Sequence, residues 1–228
     1  MQGSHDSRSP HNPEQPLLAQ LARLGSSRRG AILATLSPAP AYRLYCDPSD
    51  WISADGKPGV VEGLKRIEEA RHERELIGWI GYEAGNLFEP AVGQALPSNE
   101  QLLEFGVYSG PTDLRQDSPA YIDTPFFVQN LRLDLNRDEY IARVLEILEA
   151  IRRGEVYQVN LTMRLRFEFS GDPRSLFSAL TRTQPARYGA ILKNGEDWIL
   201  SLSPELFFRT HGRRIVSMPM KGTTERGR

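Results

Sequence analysis

Four short apolar runs in the second half of the chain are joined in pairs by glycine-containing turns, and this feature limits the fold most. The first turn is Asn194-Gly195 and the second is His211-Gly212. Turns of this kind favour hairpins of antiparallel strands. The runs are Tyr188–Lys193, Trp198–Leu202, Leu206–Arg209 and Arg214–Ser217. They predict an antiparallel sheet in this half of the chain.

A strict alternation of apolar and polar residues between positions 160 and 169 adds a further strand. Its apolar positions are Leu161, Met163, Leu165, Phe167 and Phe169. A period of two residues is typical of a strand with one buried face. The alternation therefore predicts one long, half-buried strand.

Helical patterns lie between these strands. Asn136 and Glu139 have the spacing of a capping box, and Gly154 is placed to end the helix that they begin. Asp172 and Pro173 open another helix. The apolar stripe of the first helix contains Tyr140, Ile141, Val144, Leu145, Leu148 and Ile151. Hairpin-linked strands with inserted helices predict an α+β fold with helices on one face of an antiparallel sheet.

The first half of the chain is less regular. The pattern predicts helices over Gln15–Leu24 and Val60–Glu73 and strands over Ala31–Leu36, Leu76–Tyr82 and Glu104–Tyr108. The second helix is expected to bury Val60, Val61, Leu64, Ile67 and Ala70. The glycines within Leu76–Tyr82 favour a buried strand that another backbone segment approaches closely. Residues 1–15 are rich in Ser, Pro, His and Asn and are expected to form a disordered tail.

The composition excludes several classes of function. Lys and Arg number 28 and Asp and Glu 29, so the net charge of −1 offers no basic surface for nucleic acid or anionic lipid. No apolar run reaches the ~20 residues of a membrane-spanning helix. Cys46 is the only cysteine, so no internal disulfide is expected, and residues 1–15 contain no apolar core of signal-peptide length. These features predict a cytoplasmic protein.

Metal and nucleotide motifs are not found in the sequence. The four histidines (His5, His11, His72 and His211) lack the spacing of metal ligands and are expected to be ordinary surface residues. The glycines of Gly78–Gly85 do not follow the dinucleotide-binding pattern. We therefore predict no metal site in this chain.

Lys221 is the first candidate for chemistry. It follows the last predicted strand between Pro219 and Gly222, and a lysine amine held there would be a nucleophile if its pKa were lowered. Gly222 allows backbone to approach a ligand, and Thr223 offers donors to a carboxylate. Two other interpretations remain: a surface lysine, or a fixed positive charge for an anionic substrate.

Glu205 is the second candidate. It lies sixteen positions before Lys221, and one predicted hairpin separates them, so antiparallel strands would bring both side chains to one end of the sheet. Such a pair can act as general acid and nucleophile. The alternative is a surface glutamate after a turn.

Three motifs in this half resemble successive motifs of the chorismate-utilising enzymes, which include anthranilate synthase component I and aminodeoxychorismate synthase component I. They are Gly154–Thr162, Leu202–Phe207 and Pro219–Thr223. The likeness covers about Asn136–Arg228, and a weaker one covers Gly78–Glu89. It implies the family's antiparallel β-sandwich with flanking helices, truncated here. Residues 16–124 would form the N-terminal region, and 136–228 the first part of the chorismate-binding catalytic domain.

The same resemblance implies roles for the candidate residues. Anthranilate synthases carry Ala at the position of Lys221, whereas aminodeoxychorismate synthases carry Lys, which attacks C2 of chorismate as the C4 hydroxyl leaves. Glu205 matches the general acid that protonates this hydroxyl, and Gly222 and Thr223 would contact the substrate. The implied product is 4-amino-4-deoxychorismate, on the route to 4-aminobenzoate and folate.

The resemblance also implies partners and a metal. Ammonia would come from a separate glutamine amidotransferase subunit. The Mg²⁺ of the family would be held by residues beyond Arg228, so the chain by itself is expected to be inactive. Two alternatives stay open: another chorismate-utilising enzyme such as anthranilate synthase, and a non-catalytic module that binds a ligand or docks the amidotransferase.

Overall fold

The computed structural model describes residues 15–36, 41–89, 91, 101–112, 124–184 and 186–220. The helices are α1 (Gln15–Ser26), α2 (Lys57–Ala70), α3 (Arg137–Arg152) and α4 (Pro173–Thr183), with a 3-10 helix over Tyr82–Leu87. The strands are β1 (Arg29–Thr35), β2 (Ala41–Cys46), β3 (Asp50–Ala54), β4 (Glu75–Ile80), β5 (Leu103–Tyr108), β6 (Phe127–Leu133), β7 (Leu165–Ser170), β8 (Tyr188–Asn194), β9 (Asp197–Ser203), β10 (Leu206–His211) and β11 (Arg214–Met218). The fold is α+β, and the paired strands are antiparallel. This confirms the predicted class.

The described residues form two compact units, one from within 1–123 and 176–228 and the other over Thr124–Ser175. No helix that the structure describes is long and apolar enough to cross a membrane. Of the tail predicted at 1–15, residues 1–14 lie outside the described residues, and Gln15 belongs to α1. The predicted division at 124–136 into two family regions stays a prediction.

A four-stranded sheet in the order β2-β1-β8-β9 is the larger sheet of the first unit. One face of this sheet packs against α1 and Phe177, and each residue of the core between them is at most 8% exposed. The buried residues of this core are Leu17, Leu21, Leu24, Ile32, Leu44, Cys46, Phe177 and Ile191. Because side chains alternate along each strand, the residues between these lie on the opposite face. That opposite face carries the clefts described below.

A three-stranded sheet in the order β3-β5-β4 packs against α2. Its core contains Ile52, Ala54, Val60, Ala84, Leu102, Leu103 and Val107. Gly63 lets α2 approach closely, since an added Cβ would lie 3.2 Å from Leu103 Cδ2. Val61 and Leu64, which we expected to be buried, are 36% and 37% exposed because the contact runs through Val60 and Gly63 instead.

The second unit contains β6, β7 and α3. Asn136 accepts hydrogen bonds from the N–H groups of Asp138 and Glu139, and the Glu139 side chain accepts from the Asn136 N–H, so the predicted capping box is confirmed. Gly154, with φ of +75°, follows the end of this helix. The apolar stripe of α3 is largely exposed, and α3 has no buried residue.

Two predicted strands differ from the structure. Only the second half of the alternating segment forms a strand, β7, because its partner β6 pairs with Leu165–Ser170 alone. The strand predicted as buried at Leu76–Tyr82 is β4, an edge strand that is half-buried at most positions. The strands β2, β3 and β6 were not predicted.

Candidate functional site

The cleft beside Glu205 has a volume of about 880 Å³ and lies on the face of the four-stranded sheet opposite α1. The strand register explains which side chains it collects. Arg43 of β2, Leu33 of β1, Ala190 of β8 and Ser201 of β9 stand side by side across the sheet. The full lining is Leu33, Ala34, Thr35, Ala41, Arg43, Tyr188, Gly189, Ala190, Ser201, Glu205, Leu206, Arg209 and His211. We call it the Glu205 cleft.

Glu205 lies in the turn that joins β9 to β10. The Ser203 hydroxyl accepts a hydrogen bond from the Glu205 N–H at 3.1 Å and donates one to the Glu205 carbonyl oxygen at 3.0 Å. Pro204 removes further backbone freedom from the same turn. The backbone of Glu205 is therefore held firmly, while the residue is exposed and its carboxylate can reach a ligand.

Three basic side chains of the Glu205 cleft were not predicted as site residues. Arg43 and Arg209 are exposed cations, and His211, which the sequence suggested to be an ordinary surface histidine, lines the cleft beside them. A guanidinium recognises a carboxylate through two parallel hydrogen bonds. Arg43 belongs to β2, which was itself unpredicted, so no local signal could have placed it there.

The hairpin of β10 and β11 connects Glu205 with the segment that carries Lys221. Leu206 pairs with Met218, so Glu205 lies at the end of the hairpin from which the chain continues through Pro219 and Met220. Lys221, Gly222 and Thr223 lie outside the described residues, and their roles stay predictions. Of the predicted pair, the structure describes Glu205 and the hairpin that follows it, but not Lys221.

The cleft combines a carboxylate on a fixed turn with two guanidinium groups. This combination suits a substrate that carries carboxylates and has a leaving group that a nearby acid can protonate. No group of three or more His, Cys, Asp or Glu side chains that could hold a metal ion occurs in the described ranges. With one carboxylate and three basic side chains, the described lining of the Glu205 cleft does not fit a Mg²⁺ site.

The cysteine of the first unit takes no part in this cleft. Cys46 is a free, buried thiol in the α1 core. Burial raises the pKa of this thiol, and a raised pKa keeps a thiol protonated and unreactive.

A family model described as chorismate binding enzyme matches residues 38–228, which is most of the chain. The chain belongs to the chorismate-binding enzymes. The family resemblance of the three motifs is thereby confirmed.

Curated relatives of this chorismate-binding enzyme carry two different names. Anthranilate synthase component 1 of Thermus thermophilus is 38% identical over 95 residues, which is 42% of this chain and 21% of the relative. The protein of the same name from Methanothermobacter marburgensis is 38% identical over 136 residues, 60% of this chain and 26% of the relative. Aminodeoxychorismate synthase component 1 of Klebsiella aerogenes is 35% identical over 95 residues, 42% of this chain and 21% of the relative. The chain spans between a fifth and about a quarter of the length of these relatives, and their names do not distinguish between the two activities for this chain.

Proposed function

We propose that this chain contributes the acid and nucleophile of an aminodeoxychorismate synthase component I. That enzyme converts chorismate and ammonia into 4-amino-4-deoxychorismate and water. The observation that carries the proposal is the lysine at position 221 in Pro219–Thr223. By the family resemblance, lysine at this position is typical of aminodeoxychorismate synthases and alanine of anthranilate synthases. A relative from Klebsiella aerogenes with the proposed name supports it.

The reaction consists of two displacements and needs no oxidant or reductant. The neutral amine of Lys221 forms a bond to C2 of chorismate, both double bonds of the ring diene shift towards C4, and the C4 hydroxyl leaves as water with a proton from Glu205. Ammonia then forms a bond to C4, both double bonds shift back, and the amine of Lys221 is expelled from C2. The backbone of Glu205 is fixed by its hydrogen bond to Ser203, and its side chain is exposed. The carboxyl group can therefore turn towards the leaving hydroxyl.

The Glu205 cleft supplies charge complementary to such a substrate. Chorismate carries two carboxylates, and Arg43 and Arg209 line the cleft with Glu205. Gly222 and Thr223 would complete the substrate contacts. Ammonia would be delivered by a separate glutamine amidotransferase subunit, Mg²⁺ would be held outside the described residues, and the enzyme would work in the cytoplasm, without nucleic acid or membrane.

A second candidate is anthranilate synthase component I. Relatives with that name include one from Saccharolobus solfataricus that is 40% identical over 93 residues. The two candidates differ in the product formed from the same substrate. A direct product analysis therefore separates them.

The test uses the full-length native protein that contains this chain, with chorismate, ammonium and Mg²⁺, and identifies the product by chromatography and mass. We expect 4-amino-4-deoxychorismate, no product from Lys221→Ala, and none from Lys221→Arg, because arginine keeps the charge but is not a nucleophile. Glu205→Gln should lower kcat by about 10²-fold or more. Glu196→Gln, an exposed carboxylate outside the cleft, is the matched control and should leave kcat unchanged.

Each alternative has its own result. Fluorescent anthranilate as the main product would assign the chain to the anthranilate synthases. Full activity in Lys221→Arg would make Lys221 a fixed charge, and unchanged activity in Lys221→Ala would make it structural.

A further inference from the structure

A second cleft of about 190 Å³ lies between the four-stranded and the three-stranded sheets of the first unit. It shares no lining residue with the Glu205 cleft. Its lining is Trp51, Trp79, Gln101, Glu104, Leu192, Lys193, Asn194, Asp197 and Ile199. We call it the tryptophan cleft, after the two indole rings.

The register of the three-stranded sheet places the two tryptophans and one carboxylate on the same face. Trp79 of β4 stands opposite Glu104 of β5, which stands opposite Ser53 of β3. Trp51 is two residues before Ser53 and so shares its face, opposite Gly106, which has no side chain. This face is the one turned away from α2.

Glu104 is a buried carboxylate at only 8% exposure. Its two oxygens accept hydrogen bonds from Asn194 Nδ2 at 3.2 Å and 3.1 Å. Burial raises the pKa of this carboxyl group, and the hydrogen bonds from Asn194 act in the opposite direction. A carboxylate has about four lone-pair positions, so the group can accept from a ligand as well.

Two cationic side chains lie near the cleft, and each has polar partners. Lys193 is part of the lining, but it lies on the α1 side of the sheet by register, and its ammonium donates to the carbonyl oxygens of Gly25 at 2.9 Å and Ser27 at 2.6 Å. The Arg29 guanidinium lies 4.6 Å from the centre of the Trp51 ring, and its Nε donates to Asn194 Oδ1 at 2.8 Å. The carboxylates that line the tryptophan cleft are Glu104 and, at its exposed edge, Asp197.

We propose that the tryptophan cleft binds a small organic ammonium compound, with its cation on the Glu104 carboxylate and its apolar part between Trp51 and Trp79. Indole faces attract cations, and a buried carboxylate forms strong charge-assisted hydrogen bonds with them. Leu192 and Ile199 supply apolar surface for the rest of the ligand. A cavity of about 150 Å³ is known to hold benzene, so this cleft accommodates one ring with a short amine. An anion would face the carboxylates of Glu104 and Asp197, which disfavour its binding.

The test titrates the 228-residue chain with benzylamine and follows tryptophan fluorescence and heat of binding. Benzyl alcohol serves as the uncharged probe of similar shape, and benzoate as the anionic one. We expect saturable binding of benzylamine, at least about tenfold weaker binding of benzyl alcohol, and none of benzoate. Glu104→Gln should weaken benzylamine binding by about tenfold or more, since the charge-assisted bond is lost.

Two variants control this comparison. Glu196→Gln removes a negative charge one residue from Asp197 but outside the cleft, and it should leave the affinity unchanged. Trp51→Leu removes one wall without touching the hydrogen bonds of Glu104, and it should weaken benzylamine by about fivefold or more. It decides the case if circular dichroism shows that Glu104→Gln does not fold.

Three results would overturn the proposal: no saturable binding of benzylamine in the millimolar range, equal affinity for benzyl alcohol, or unchanged affinity in the folded Glu104→Gln and Trp51→Leu variants. The hydrogen bonds of Glu104 to Asn194 would then only join the two sheets. None of these results bears on Lys221, so this proposal and the proposed function fail independently.

Discussion

Tyr45 shows how one side chain joins the two sheets of the first unit. It is 1% exposed, and its hydroxyl donates to Glu75 Oε2 at 2.6 Å. Its ring contacts Tyr108 edge to face, with 5.4 Å between the ring centres. Burial, with a smaller contribution from the hydrogen bond to Glu75, raises the pKa of Tyr45 to about 12. The phenol is therefore protonated under all ordinary conditions.

This pKa predicts how the chain responds to alkaline pH. The unfolded state loses the Tyr45 proton near the ordinary phenol pKa of about 10, whereas the folded state keeps it to about 12, so the stability this gives is present below pH 10 and is lost as the pH rises towards 12. Burial also raises the pKa of Tyr108, so absorbance at 295 nm should show a late phenolate step from both residues, and Tyr45→Phe should lower its amplitude by one tyrosine. Tyr157→Phe, at a ring 91% exposed, is the control and should leave the late amplitude unchanged. An unchanged late amplitude in Tyr45→Phe would contradict the assignment.

At the same scale, the sequence singled out one residue that lines the Glu205 cleft and missed others. Glu205 was singled out because a motif surrounds it, and the structure places it in the cleft on a turn fixed by Ser203, while its role as an acid stays a prediction. Arg209 and Arg43 reach the same cleft from β10 and β2, which are far apart in sequence. Pairing between distant strands leaves no local pattern, so side chains gathered by it are visible only in the fold.

At the level of helices and strands, the sequence predicted the features that depend only on neighbouring residues, such as helix caps and tight turns. The capping box at Asn136 and the glycine turns of both hairpins formed as expected, with Gly195 and Gly212 at positive φ. The alternation between 160 and 169 failed as a single strand because a strand also needs a partner of matching length, and β6 ends too early. Periodicity shows which residues share a face but not what covers that face.

The contact between β4 and β5 gives an element-level prediction. Gly78 stands opposite Phe105, and an added Cβ would lie 2.7 Å from Phe105 Cα, which confirms the expected close backbone approach. Gly78→Ala should lower the free energy of unfolding by about 1–3 kcal/mol through overpacking. Gly85→Ala, where an added Cβ meets nothing within 4 Å, should change it by less than about 0.5 kcal/mol. Urea denaturation measures both, and equal effects would show that β4 can move away from β5.

At the scale of the whole molecule, burial is unevenly distributed. The two cores of the first unit contain fully buried leucines and isoleucines, whereas the described residues of Thr124–Ser175 contribute no buried hydrophobic residue. The β10–β11 hairpin likewise exposes Phe207 at 83% and Ile215 at 75%. Because local stability follows burial, the second unit is expected to open at far lower free energy than the first.

A pair of leucine substitutions tests this difference. Leu21 is 0% exposed in the α1 core, and Leu145 is 59% exposed on α3, although both lie on the apolar stripes of their helices. Leu21→Ala should lower the free energy of unfolding by about 2–5 kcal/mol, because it leaves a cavity in a packed core. Leu145→Ala should cost less than about 0.5 kcal/mol, because water already reaches the side chain and alanine favours the helix. Hydrogen exchange should show the matching order, with slow amides in β1 and β8 and fast ones in α3.

If Leu145→Ala costs as much as Leu21→Ala, the stripe of α3 is covered in solution, and a second copy of the chain is the available partner. Sedimentation of the two variants would then show a change in oligomeric state for Leu145→Ala alone.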